Sequence, residues 1–318
     1  MKSAISAGLC VIMLVACQMA HARITKITIV RIESPTFEGR SFGKAGQYEK
    51  LAGRIAGEVD PADPHNSIIT DISLAPRNAR GRVEYETDIM ILRPIDHSAG
   101  NHKVWYELTN RGAILAFQQF NDASSGGNNP SKAADAGNGF LMRQGFSILF
   151  SGWDTTAAPG GSRFLMKSPV AANPDRSPII GPALEEFSID DNTTTIGSLT
   201  YPAATRDKSK ATLTMRVRYE DQPLVVPDDR WDYANETGTA IKLRGDQFQQ
   251  GALYEFIYPA KDPVITGLGF AAIRDITAFV RTAQSDDDGN VNPLKGEAAT
   301  VYSACVSQPC RTLHDFVL

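Results

Sequence analysis

Val83, Tyr85, Thr87, Ile89 and Ile91 recur at every second position, interleaved at first by Glu84, Glu86 and Asp88, and the run stops at Arg93-Pro94. A period of two turns one face of the chain toward a core and the other toward water, so this segment is constrained to be a strand. A β-branched apolar run from Ile24 to Ile32 reads the same way, and the two are expected to belong to an antiparallel arrangement. Between them Gly39, Gly43, Gly46, Pro61 and Pro64 predict turns and loops.

Downstream the pattern changes. Val104 to Leu108 is a short strand running into Thr109-Asn110-Arg111-Gly112, Ala133 to Gln144 predicts a helix stopped by Gly145, and Phe146 to Phe150 is a nearly continuous apolar run. Such a run fits a strand covered on both faces, as in a parallel sheet. Asp154 to Pro263 reads as a β-rich insertion, with alternation at Ala211, Leu213, Met215, Val217 and Tyr219 and a further run from Leu253 to Tyr258. Phe270, Ile273, Ile276 or Thr277, and Val280 fall on one face of a helix. Asp286-Asp287-Asp288-Gly289 follows; it lacks the spaced carboxylates and distal Glu of a calcium loop and is read as a solvated turn. Ala298 to Ser303 predicts a last strand, and a helix starts at Arg311. The divisions expected are 1–22, 23–98, 99–153, 154–263 and 264–318.

Met1-Lys2, an apolar run from Ala4 to Cys17 and Ala20-His21-Ala22 before Arg23 describe a secretory signal peptide. Cleavage after Ala22 gives a periplasmic or secreted chain starting at Arg23; alternatively Leu14-Val15-Ala16-Cys17 is a lipoprotein site, with Cys17 carrying a lipid anchor. The apolar run is too short for a transmembrane span. The formal charge of −4 and the lack of a Lys/Arg cluster exclude the electrostatic footprint of a nucleic-acid binder. Cys305 and Cys310 remain after cleavage; they either pair in an oxidising compartment or stay as two buried thiols. No Cys/His spacing suggests zinc, and no metal or cofactor is expected.

The chemistry concentrates near the end. A strand, a sharp turn at Ser307 and a helix give the context of a nucleophile elbow, in which the N–H of the next residue, Gln308, would stabilise an oxyanion. Pro309 is tolerated because the first helical turn needs no N–H there. Ser307 as an ordinary turn serine is the alternative. Asn110, Arg111 and Gly112 follow the earlier strand, where a second oxyanion donor would come from; a plain turn with an exposed Arg111 is the alternative. The acidic triad member and the histidine would follow Ser307, and His314 is too far, about 10 Å along the same helix.

Four ordered blocks resemble the bacterial alpha/beta hydrolase domain proteins. They are Tyr106 to Gly112, Gly139 to Phe146 running on to Ser151-Gly152-Trp153, Gly267 to Asp275, and Val306-Ser307-Gln308 with Arg311. The family's elbow looks like Gly-x-Ser-Gln-Ser-Gly-Arg, so Cys305, Pro309 and Cys310 depart from it. The resemblance implies an α/β-hydrolase-type fold, a mostly parallel sheet with an N-terminal β region and a β-rich insertion. It implies an esterase, with Ser307 attacking a small ester and Gln308 and the Asn110–Gly112 loop holding the oxyanion. It further implies that the chain is cut off inside the helix after the elbow, leaving it poorly active or inactive. The alternatives are an exported, non-catalytic ligand- or partner-binding protein and an inactive fragment.

Overall fold

The computed structural model describes residues 23–124 and 127–318. The expectations of a signal peptide and of lipidation at Cys17 lie outside them. Among the described residues no helix is long and apolar enough to cross a membrane.

The chain opens with three long strands, β1 (Arg23–Glu33), β2 (Tyr48–Val59) and β3 (Val83–Pro94), paired antiparallel along nearly their whole length. β2 falls where the sequence predicts turns and loops. Its glycines disguise it. A Cβ at Gly53 would stand 2.0 Å from the Thr28 carbonyl oxygen, and one at Gly57 would stand 2.3 Å from the Tyr85 ring, so these glycines admit close neighbours rather than interrupt the strand.

β4 (Lys103–Leu108), α1 (Ala116–Phe120), α2 (Phe140–Arg143) and β5 (Ser147–Ser151) follow. The helix expected over Ala133 to Gln144 is broken. Gly137 and Gly139 adopt φ of 55° and 71°, and a Cβ at Gly137 would lie 2.1 Å from the Asn121 carbonyl oxygen. That close approach fixes a turn where helical continuity would need a different backbone. β5 is buried throughout. It pairs antiparallel with β3 and parallel with β4.

The short β6 (Met166–Lys167) also pairs antiparallel with β3. Residues 180–261 then build two antiparallel sheets of their own. One comprises β7 (Ile180–Ser188), β9 (Thr212–Arg216), β10 (Leu224–Val225) and β13 (Leu253–Lys261); the other comprises β8 (Gly197–Ser198), β11 (Trp231–Tyr233) and β12 (Ala240–Leu243). A core around Trp231, Phe248, Phe256 and Tyr258 joins them.

α3 (Leu268–Thr282), β14 (Thr300–Ala304) and α4 (Gln308–Val317) complete the main sheet, whose order is β1-β2-β3-β5-β4-β14. α3 packs Ile273, Ile276 and Val280 against Ile55, Ile89 and Tyr106 on one face, while Phe37, Phe42, Leu141 and Phe150 fill the other. The Asp286–Asp288 turn is not merely solvated: Asp286 Oδ2 accepts the Ile27 N–H at 2.8 Å, and Asp287 and Asp288 pair with Arg23 and Lys26. It holds β1 in place.

The α/β-hydrolase-type, mostly parallel sheet is therefore overturned. The described chain is β-rich, with 34% strand against 19% helix, and among the described strands parallel pairing is confined to β5·β4 and β4·β14. The physical reason lies in the connections. Parallel neighbours need crossovers of a dozen or more residues, whereas β1, β2 and β3 follow one another as an antiparallel meander and the insertion pairs strands with antiparallel neighbours throughout. A buried apolar run such as β5 shows that both faces are covered and leaves pairing direction open.

Candidate active site

The carboxyl ends of the three parallel strands lie side by side, the place where open sheets with parallel strands present ligand sites. β5 leads to Asp154, β4 to Thr109 through Ala113, and β14 to Ser307. Cross-links hold these ends together: Trp153 Nε1 donates to the Thr109 carbonyl at 2.8 Å, and Thr109 Oγ1 donates to the Ser151 carbonyl at 2.9 Å.

Ser307 occupies φ 67°, ψ −121°, immediately before α4, and its side chain is exposed. A non-glycine residue there is strained by about 1–3 kcal/mol and persists because its surroundings impose it. Those surroundings are visible. Cys305 and Cys310 are joined by a disulfide with Cα atoms 5.1 Å apart, and the Cys310 N–H donates to the Ser307 carbonyl at 3.0 Å. The turn is thus closed on both sides of the serine. Asn110 Nδ2 donates to the Val306 carbonyl at 3.0 Å, which ties the loop after β4 to it.

That loop is a two-residue hairpin. Asn110 and Ala113 exchange both backbone hydrogen bonds at 2.8 Å, and Arg111 and Gly112 both have positive φ, 47° and 79°, as a primed turn requires. The Asn110 N–H is consumed inside the turn, so of the expected oxyanion donors Asn110 contributes position through its side chain. The N–H groups of Arg111, Gly112 and Gln308 donate to no protein atom among the described residues. Gly112 is required on two counts: its φ, and the Phe164 carbonyl oxygen 2.7 Å from where a Cβ would stand.

Two carboxylates escaped the sequence reading. Asp154, buried, accepts the Gln308 side-chain amide at 3.3 Å and the Thr156 N–H and hydroxyl at 2.9 and 2.7 Å. Gln308 Oε1 is buried without a partner among the described residues. Glu107, 1% exposed, accepts the Leu115 N–H at 2.6 Å and the Ala116 N–H at 2.9 Å. Burial pushes its carboxyl up to about 7 against the pull of those two N–H groups. A charged residue inside the apolar run Val104–Leu108 was the available signal, because carboxylates are rarely fully buried.

No histidine of the described residues bonds to Ser307. His65 pairs with Asp63 at 2.9 Å and His314 with Asp315 at 3.3 Å. His102 and His97 face Glu297 at 3.2 and 3.9 Å, next to the starts of β4 and β14. No group of three or more His, Cys, Asp or Glu able to hold a metal occurs among the described residues.

No protein-family model matches the chain, and no curated protein sequence matches it. With the β-rich architecture, this removes the support for the resemblance to the alpha/beta hydrolase domain proteins.

Proposed function

We propose that the chain carries a serine nucleophile, Ser307, that acts on carboxylic esters of small molecules. The observation that carries this reading is the exposed hydroxyl held at φ 67°, ψ −121° between a strand and a helix. Strain at an exposed hydroxyl, imposed by a turn that the Cys305–Cys310 disulfide closes between a strand and a helix, is of the kind that clusters at active sites. Supporting it are the N–H groups of Gln308, Arg111 and Gly112, which donate to no protein atom among the described residues and are the kind of donor that stabilises charge developing on a carbonyl oxygen.

In the reaction, Ser307 Oγ adds to the ester carbonyl and its proton passes to solvent water, the bond to the leaving oxygen breaks and releases the alcoholate, and a further water later cleaves the acyl-serine to the free acid and the serine hydroxyl. A serine hydroxyl is a weak nucleophile without a base, and the described residues place none against it. The expected activity is therefore slow and restricted to activated esters, whose leaving groups need no proton. Mixing residues 23–318 with p-nitrophenyl acetate tests this. A burst of p-nitrophenolate stoichiometric with protein, absent in Ser307→Ala, is the expected result; release that survives the substitution contradicts the proposal. An exported setting rests on the Met1–Ala22 pattern, and N-terminal mass analysis of secreted protein separates a start at Arg23 from an acylated Cys17.

A second reading has its own observation. A cleft of about 1180 Å³ lies in the insertion, lined among others by Asn192, Arg230, Asp246, Phe248 and Gln250, and shares no residue with the Ser307 site. It favours ligand binding without catalysis. We give the Ser307 site precedence, because size alone specifies no chemistry and the cleft holds no nucleophile in a strained backbone.

A further inference from the structure

Glu107 points from β4 to the face of the sheet that also carries Trp105, opposite the face of Val104, Tyr106 and Leu108. It lies in register with Ala304, three residues before Ser307, and with Phe150 of β5. Its two carboxylate oxygens each accept one backbone N–H, from Leu115 and Ala116, which end the segment that begins with the Asn110–Ala113 hairpin. The hairpin is therefore held at three points: by Glu107 behind it, by Asn128 Oδ1 accepting the Ile114 N–H at 2.9 Å, and by Asn110 reaching Val306.

Among the described residues no cation pairs with this carboxylate. β5 and α1 carry no ionisable side chain and β14 carries Tyr302 alone. Arg311, His314 and Asp315 belong to α4, whose Leu313 and Phe316 pack on the other face. Lys103, Arg111, Asp122 and Arg163, which donates to the Arg111 carbonyl, lie nearby along the chain, and Glu38, Arg40, Lys44, Asp135 and Arg143 belong to the other segments packed on this face; what moves the Glu107 carboxyl is burial and the two N–H groups, with no charged partner among the described residues. Ionised, a carboxylate is a strong acceptor at both oxygens; a proton turns one of them into a hydroxyl, a weaker acceptor, and an amide puts an N–H donor in its place. A proton therefore loosens one contact, and the amide breaks it.

We propose that Glu107 is a positioning residue for the Ser307 reaction, its ionised form fixing the hairpin beside the elbow and its protonated form loosening it. This rests on the serine-nucleophile reading. Burial that pushes the carboxyl up to about 7 brings the change into the neutral range.

The test follows the amide proton shifts of Leu115 and Ala116 by NMR against pH, alongside the rate of Ser307 labelling by a fluorophosphonate, in the wild type and in Glu107→Gln. In labelling, the serine oxygen bonds to phosphorus and fluoride leaves. Both amides are expected to titrate together near pH 7 in the wild type and not in the variant. Labelling should rise through the same midpoint, and be on the order of a hundredfold slower in the variant at pH 8, the scale of a displaced reacting group. Amides that do not titrate in the wild type, or a variant labelled at the wild-type rate with the wild-type pH profile, overturn the proposal. Amides that titrate in a wild type never labelled at Ser307 sink the serine-nucleophile reading and uphold the hold of Glu107 on the hairpin.

Discussion

The two ends of the same three parallel strands make a natural contrast. At the carboxyl ends stand a strained, exposed serine, a primed hairpin and two buried carboxylates; at the amino ends His97 and His102 stand partly exposed around Glu297. Both ends gather groups that could do chemistry. They cannot do it together, because the Ala299 N–H donates to the His102 carbonyl and β14 then runs its whole length before Ser307, roughly 16 Å at the usual rise per residue. A sequence that contains a serine and a histidine therefore need not contain a pair. Both ends hold a non-glycine residue at positive φ and a buried carboxylate; what distinguishes the serine end is closure, since the Cys305–Cys310 disulfide and Asn110 fix its turn, whereas His97 and His102 stand partly exposed around Glu297.

Glu107 gives the largest expected effect on stability. Its carboxyl is raised from the unfolded value of 4.5 to about 7, so between those values the folded chain holds a proton that the unfolded chain has lost. The stabilisation is complete below about 4.5 and is lost as pH rises through about 7, a change on the order of 3 kcal/mol. Denaturant unfolding at pH 4 and pH 8 should show the wild type losing that much more stability than Glu107→Gln over the interval. Equal losses would show that the residue is solvated, and the contrast between the two strand ends would lose its buried charge.

The disulfide comes next. Joining Cys305 to Cys310 closes a short loop around Ser307, worth about 2 kcal/mol of chain entropy. A Cys305→Ala/Cys310→Ala variant should unfold at correspondingly lower denaturant and label more slowly at Ser307; unchanged labelling would mean that Asn110 and the Cys310 N–H suffice to hold the turn. The smallest effect belongs to the serine itself. Ser307→Gly removes the penalty of positive φ and should stabilise the chain by about 1 kcal/mol while abolishing acylation, whereas loss of stability would show that the turn is not strained.

Much of this was open to a sequence reader. Alternation at Val83–Ile91, the buried run of β5 and the strand-serine-helix order before Arg311 all appear in the molecule, because each is a local pattern with a local cause. Pairing direction was not legible: it depends on where a strand's partners come from, and the resemblance supplied a wrong answer for the sheet as a whole. β2 was hidden by Gly53 and Gly57, whose role appears once Thr28 and Tyr85 are seen against them. The hairpin was found as a glycine-bearing loop, but its internal bonds, which occupy the Asn110 N–H, were beyond reach. Asp154 and Glu107 carry no sequence signature, since each follows or interrupts an apolar run and their partners are backbone, hydroxyl and amide groups that no motif records.

Whether Ser307 is a nucleophile that works without a histidine is read by peptide mapping by mass spectrometry after fluorophosphonate treatment, in the wild type and in a His97→Ala/His102→Ala variant. A single phosphonyl adduct on Ser307, formed at the same rate in both proteins, is the expected result. An adduct elsewhere, no adduct at all, or a rate that collapses when the two histidines are removed would contradict it.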